Sequence, residues 1–454
     1  MLLSVLESSG WGASVVAALS VLAVMATPAQ AAPGQAFPFP VHEKTLPNGL
    51  HVYVVNYDSP GLVAYYTIVR TGSRNEVEPG KSGFAHFFEH MMFRGTDRYS
   101  QDEYNAVIKE MGADSNAYTS DDLTVYHTLA GKAALPKIVD IEADRFQHLK
   151  YPEPDFQKEA RAVLGEYNKN ASNPVEKMIE TLYDHAFVSH TYKHTTMGFL
   201  KDIEDMPNQF AYSRQFFDRY YRPDNVTILV AGDVEPENVF DLIEREYGGW
   251  MPGPRRPPVG LEPPQHKEKR AELKWNGATL PMLLEGFHTP AFSTKTVDGP
   301  ALDVLAELLF AERAPLYKKL VITEQKVESM SGSNDPHVDP NLFTVLARVK
   351  KPEDLAYVET AIHDELTRIA RDGVDAKTLA DVLSHVKYAF AGRLSTADRT
   401  ANTAAQFISL TGSLASINEY FALYDQVNSA DVKRVAQKYF TPSNRTVVTL
   451  KASK

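Results

Sequence analysis

Hydrophobic and polar positions change period several times along this chain, and each change marks an element. Leu50 to Tyr57 and Leu62 to Arg70 are β-rich runs separated by Asp58-Ser59-Pro60-Gly61, a spacing that predicts a hairpin. Gly83-Phe84-Ala85-His86-Phe87-Phe88-Glu89-His90-Met91-Met92-Phe93 is apolar almost all the way round a helical wheel, which predicts a buried helix ending near Gly95. Ser100-Gln101-Asp102-Glu103 has capping-box spacing and opens a helix to about Met111, closed by Gly112. Thr124 to Leu129 reads as a strand, and Lys137 to Leu149 and Phe156 to Asn168 both carry helical periodicity.

A repeat organises these elements. Tyr220-Tyr221-Arg222-Pro223-Asp224-Asn225-Val226-Thr227 leads into the strand Ile228-Leu229-Val230. Tyr439-Phe440-Thr441-Pro442-Ser443-Asn444-Arg445-Thr446, beginning 219 residues after Tyr220, leads into Val447-Val448. Both copies end a helical segment, turn at X-Pro-x-Asn and start a strand, so the chain is expected to consist of two similar halves, 32–250 and 271–454. The Pro-rich, charged stretch between them, 251–270, has the composition of a semi-extended linker. Strands and long helices mix in each half without strict βαβ alternation, which argues for an α+β fold.

Composition narrows the setting. With 47 Lys and Arg against 58 Asp and Glu, the formal charge is −11 and no basic run stands out, so nucleic acid is not an expected partner. The apolar run 13–26 is short for a bilayer span, and Ala29-Gln30-Ala31 follows it as a small-x-small cleavage pattern. A signal peptide over 1–31 and a periplasmic mature protein are expected. The n-region lacks Lys and Arg and contains Glu7, which leaves a retained anchor or a mis-chosen start codon as alternatives. No later segment is long and apolar enough to be a membrane helix. There is no cysteine, so any metal must be held by His and carboxylates.

The predicted buried helix carries the chemistry. At 100° per residue His86, Glu89 and His90 share one arc of about 100°. Two imidazoles at i and i+4 reach one ion, and zinc is its natural identity. Catalytic zinc needs a third protein ligand. On the helix 156–168, Phe156, Ala160, Val163, Leu164 and Tyr167 form an inward stripe flanked by Glu159 and Glu166; either carboxylate is a candidate, and spacing does not choose between them. Glu89 is free to take a proton from a metal-activated water, so the reaction class is metal-assisted hydrolysis of an amide.

His86-x-x-Glu89-His90 is the inverted zinc motif. Together with Glu166, 76 residues beyond His90, and with both Tyr-x-x-Pro-x-Asn segments, it makes the chain resemble the pitrilysin/insulinase metallopeptidases, in particular the shorter bacterial and mitochondrial-processing-peptidase-like branch. The resemblance implies His86, His90 and Glu166 as zinc ligands, Glu89 as general base and Glu159 as a carboxylate supporting a ligand. It also implies that Gly112 to Thr119 runs up to and along an edge strand that binds substrate backbone, with Asn116 and Ala117 as the contacts. The implied fold is two α+β halves closing like a clam shell round a chamber that favours short or unfolded peptides.

One departure bears on partners. Many relatives carry an Arg and a Tyr seven apart in the second half, whereas Lys319 to Ser329 here has Val321 and Glu328 in their places. A valine donates no hydrogen bond to an oxyanion. The resemblance therefore implies a zinc-bearing subunit whose homologous partner supplies the Arg/Tyr pair; a self-sufficient or homodimeric enzyme and a non-catalytic scaffold of the same fold are the alternatives. His190 and His194 are also four apart, but Thr191, Tyr192 and Thr195 disfavour helix, no acidic partner has an evident place, and the pair reads as surface or hydrogen-bonded histidines. Asp121-Asp122 reads as a turn.

Overall fold

The computed structural model describes residues 35–453, so the expected leader, 1–31, lies outside the described residues. One sheet is built from β1 (Val41–Thr45), β2 (His51–Asn56), β3 (Leu62–Val69), β4 (Asp114–Thr119), β5 (Thr124–Gly131) and β6 (Val226–Gly232), in the order β1-β2-β6-β3-β5-β4. The other holds β7 (Lys269–Trp275), β8 (Met282–Thr289), β9 (Val327–Ser333), β10 (Asn341–Val349) and β11 (Arg445–Ala452), in the order β7-β11-β8-β10-β9. With β1 set aside, the two orders coincide strand for strand. β2–β6 and β7–β11 are the parallel pairs and every other pair is antiparallel.

Helices accompany both sheets. With the first run α1 (Phe84–Met91), α2 (Gln101–Glu110), α3 (Leu135–His148), α4 (Glu153–Asn170), α5 (Pro174–Ala186), α6 (Leu200–Asp205), α7 (Phe210–Tyr220) and α8 (Pro236–Tyr247). With the second run α9 (Asp298–Phe310), α10 (Pro315–Tyr317) continuing into a π-helical turn (Lys318–Thr323), α11 (Leu355–Asp372), α12 (Ala376–Gly392), α13 (Ala397–Thr411), α14 (Ala415–Tyr424) and α15 (Ser429–Tyr439). The fold is α+β with two similar halves. Among the described residues no helix is long and apolar enough to cross a membrane.

The repeated turn is the same structure twice. In each copy a helix ends at tyrosine, a 3₁₀ turn follows, and the asparagine side chain returns to the tyrosine carbonyl: Asn225 Nδ2 to Tyr220 O at 2.8 Å, Asn444 Nδ2 to Tyr439 O at 2.7 Å. The capping box at Ser100 and Glu103 is formed as expected and starts α2.

The expected hairpin is not formed. β6, which comes much later in the chain, inserts between β2 and β3, pairing parallel with one and antiparallel with the other. Tyr57 N donates to Gly232 O and Asp233 N to Leu62 O, so the connection spans a strand instead of turning tightly. A two-residue turn would have forced direct pairing.

The halves also cover each other's sheets. One face of the first sheet packs on α1, α3, α4, α7 and α8; its opposite face, with Tyr53, Tyr66, Ile68 and Leu229, lies against Phe390, Ala401, Ala405 and Ile408 of the second half. In return α5 sends Met178, Leu182 and Ala186 onto Met282, Leu284, Val448 and Leu450.

Candidate active site

α1 begins at Gly83, whose φ of +92° favours glycine and where an added Cβ would lie 2.3 Å from Ile203 Cδ1 and 2.9 Å from Met197 O. Its first N–H groups are satisfied by a side chain: the Glu76 carboxylate accepts from Gly83 N and Ala85 N, both at 2.7 Å. Burial and the nearby Asp202 push the Glu76 carboxyl up to about 8, against the pull of those two donors. Phe84, Phe87, Phe88 and Met91 are fully buried, and the Phe87 ring meets Phe156 of α4 edge-on at 5.0 Å. That contact sets α1 against α4 and faces their polar groups toward each other.

His86 Nε2 lies 3.8 Å and His90 Nε2 3.4 Å from the same Glu166 oxygen. The ligand atoms of the three residues all fall within 4.8 Å of one another. Glu159 is buried behind them, its Oε1 2.9 Å from His90 Nδ1 and its Oε2 paired with Arg94. The two carboxylates that the stripe left undistinguished thus differ: Glu166 faces both imidazoles on the open side, Glu159 braces one from behind.

These distances fit an ion better than direct bonds. Zinc bonds of 2.0–2.1 Å in a tetrahedron put ligand atoms about 3.3–3.4 Å apart, whereas an N–H···O bond wants about 2.9 Å. His86 supplies a second sign. Burial and the neighbouring His90 push its imidazole down to about 3, so it is a neutral lone-pair donor at pH 7. Its buried Nδ1 has no hydrogen-bond partner among the described residues.

Glu89 is not one of this trio and accepts from Thr119 Oγ1 at 2.6 Å. Burial raises its carboxyl above the usual carboxylate range, with the Thr119 hydroxyl and His90 opposing. Thr119 ends β4, which among the described residues pairs only with β5 and is the outer strand of its sheet. Asn116 is exposed on it and Ala117 half-buried, and the Ala117 N–H is held by Asn116 Oδ1 at 2.9 Å instead of a neighbouring strand. Strand periodicity puts Ala117 and Thr119 on one face, which was the available signal for Thr119. Arg94, four residues past His90, was signalled only by helical spacing. Glu76 had no signal in its irregular segment.

His190 and His194 flank a 3₁₀ turn, Thr191–Lys193, and are bonded as expected: His190 Nε2 is 2.9 Å from Asp339 Oδ2, and His194 Nδ1 is 3.0 Å from Thr195 O. Another trio of potential ligands, Glu285, Glu359 and His363, carries its own cations. Arg270 forks onto Glu359 at 2.6 and 2.8 Å, and Arg445 contacts both His363 and Glu268, so this group is a balanced ion-pair network.

Comparison with known proteins adds a family to this geometry. Residues 55–199 match the model of the insulinase family, peptidase family M16, and residues 211–384 match that of the M16 inactive domain. The chain belongs to peptidase family M16. Among relatives of this M16 chain, the zinc protease PqqE of Helicobacter pylori is 28% identical over 91% of this chain and 93% of its own. A probable mitochondrial-processing peptidase subunit beta of Arabidopsis thaliana is 26% identical over 87% of this chain and 75% of its own. The crystal structure of a protease from Helicobacter pylori superimposes with a TM-score of 0.86 at 27% identity, covering 91% of this chain and all (100%) of that one. The first M16 match spans α1, β4 and α4; the second begins in α7, takes in β7 to β10 and ends in α12.

Glu159 acts on the trio through His90, and this gives a direct test. Glu159→Gln is expected to weaken zinc binding by about 10–100-fold, since a supporting carboxylate fixes the tautomer and raises the basicity of its histidine. Competition with a chromogenic chelator reads that change.

Proposed function

We propose that this chain is the zinc-bearing subunit of an endopeptidase that cleaves short or unfolded peptides. The observation that carries the reading is the convergence of His86, His90 and Glu166 beside a Glu89 that takes no part in their grouping. His86, His90 and Glu166 would hold the ion. When bound there, zinc is a Lewis acid that brings the pKa of a water toward about 7.

Glu89 takes the proton of the attacking water and passes it to the leaving amine nitrogen. The Thr119 hydroxyl holds one Glu89 oxygen, leaving the other to do so. β4 offers its outer edge to an extended peptide, with the Ala117 N–H exchanging the Asn116 side chain for a substrate carbonyl. A substrate that must lie down as a strand cannot be folded, hence the preference for short or unfolded peptides.

The second half lacks an equivalent centre. In the coincident strand orders β9 stands where β4 does, and α9, Asp-Gly-Pro-Ala-Leu-Asp-Val-Leu-Ala-Glu-Leu-Leu-Phe, contains no histidine. Val321 sits half-buried in the π-helical turn, and Glu328 is exposed on β9 and paired with Arg348 at 3.1 Å. Neither donates to a substrate carbonyl, which supports a homologous partner that brings Arg and Tyr. The 13–26 run and Ala29-Gln30-Ala31 support export to the periplasm.

The zinc-loaded chain, assayed on a quenched fluorescent peptide mixture, is expected to hold about one zinc per chain and to lose any cleavage on chelation. Chelator-insensitive cleavage, or no stoichiometric zinc, would sink the reading.

A further inference from the structure

The two halves meet turn to turn beside the candidate base. The turn joining β4 to β5, 120–123, starts one residue after Thr119 and contains Asp121 and Asp122. The turn joining β9 to β10, 334–340, is its counterpart in the repeat, because β9 and β10 take the places of β4 and β5 in the second sheet. The second turn grips the first. His337 Nε2 is 3.2 Å from Asp121 Oδ2, and Val338 N donates to Asp122 Oδ2 at 3.1 Å.

The grip is reinforced from both sides. Asp122 also accepts from the buried Tyr192 hydroxyl at 2.7 Å, while Asp339 Oδ2 lies 2.6 Å from Arg74 Nε and 2.9 Å from His190 Nε2. Below the turn there is no room to move: a Cβ on Gly72 would lie 2.2 Å from Ser120 O, and Arg74 N holds Asp121 O at 2.9 Å. His337 contacts acceptors with both ring nitrogens, Asp335 O at 2.8 Å and Asp121, so it sits there as a doubly protonated donor.

We propose that the β9–β10 turn is a positioning latch for the candidate catalytic glutamate, acting through His337 and Asp121 on the β4–β5 turn and so on Thr119 and Glu89. The half without an active centre then fixes the hydroxyl that aims the base. His337 is a positioning residue, since it reaches Glu89 only through Asp121 and Thr119. The proposal rests on the peptidase reading for its kinetic consequence and on the packing alone for its structural one.

Two measurements on the full chain separate these. His337→Ala is expected to lower kcat about tenfold, inside the roughly 10²-fold that an ångström of misplacement costs, with KM and zinc content unchanged. His337→Gln, which keeps one donor, is expected to recover most of the loss, and Asp121→Asn to reproduce it. Unchanged kcat in His337→Ala, or a fall accompanied by zinc loss, would overturn the latch. Amide hydrogen exchange needs no activity: residues 118–124 are expected to exchange faster in His337→Ala, and less so in His337→Gln, while 84–91 stay at the wild-type rate. If wild type cleaves nothing even with an Arg/Tyr-bearing homologous chain added, the peptidase reading fails but exchange still decides the latch, since wild-type rates at 118–124 in His337→Ala would refute it.

Discussion

Glu89→Gln is expected to lower peptide hydrolysis by about 10²–10⁴-fold, the range general acid–base catalysis contributes, while zinc stays bound. Gln has the same shape and keeps an oxygen to accept from Thr119 Oγ1, so the bond that aims this side chain survives. What it lacks is the basic oxygen that takes the proton. The ligand trio is untouched, because His86 and His90 converge on Glu166 and His90 is braced by Glu159, with no contact through Glu89. Activity and metal content measured together therefore decide the role. Activity lost with zinc retained is the expected result. Zinc lost along with activity would make Glu89 part of the metal centre, and full activity would place the base elsewhere.

Much of this site was legible because it is made of local periodicities. The arc shared by His86, Glu89 and His90 needs only the helical repeat, and the inward stripe on α4 put Glu159 and Glu166 on one side. The difference between those two glutamates was not local. It depends on the Phe87–Phe156 contact that crosses α4 over α1, after which Glu166 meets both imidazoles and Glu159 meets His90 and Arg94. The same limit explains the missing hairpin: Asp58 to Gly61 fixes a reversal of direction, but whether another strand enters the gap is decided by β6, whose partners lie far away in sequence. The repeat was visible at its X-Pro-x-Asn turns because Asn225 and Asn444 bond within five residues. The exchange of helices between halves left no mark, since a helix such as α5 shows the same apolar face whichever sheet it covers. Asp121-Asp122 read as a turn, and it is one; the partners that make it more than that, His337 and Val338, lie in the other half of the chain.

A homologous chain that lacks His-x-x-Glu-His but carries the Arg/Tyr pair, added in equimolar amount, is expected to raise kcat/KM of this chain by about 10²–10³-fold. That is the usual loss when one donor to a developing oxyanion is removed, and the described second half shows no replacement at the two positions. Val321 is a hydrocarbon in a π-helical turn, and Glu328 is an acceptor already paired with Arg348. Both ends of the reaction would then come from different chains: base, ion and peptide-binding strand from this one, carbonyl donors from the other. The second chain also has to sit where β4 presents its edge, so its addition is expected to leave zinc affinity unchanged while altering kcat and KM together. The contrary result is equally clear in physical terms. If this chain alone cleaves at the rate the pair reaches, then its own residues, or those of a second copy, donate to the oxyanion. The heterodimer would be unnecessary, and those donors would have to be sought on elements facing the outer edge of β4.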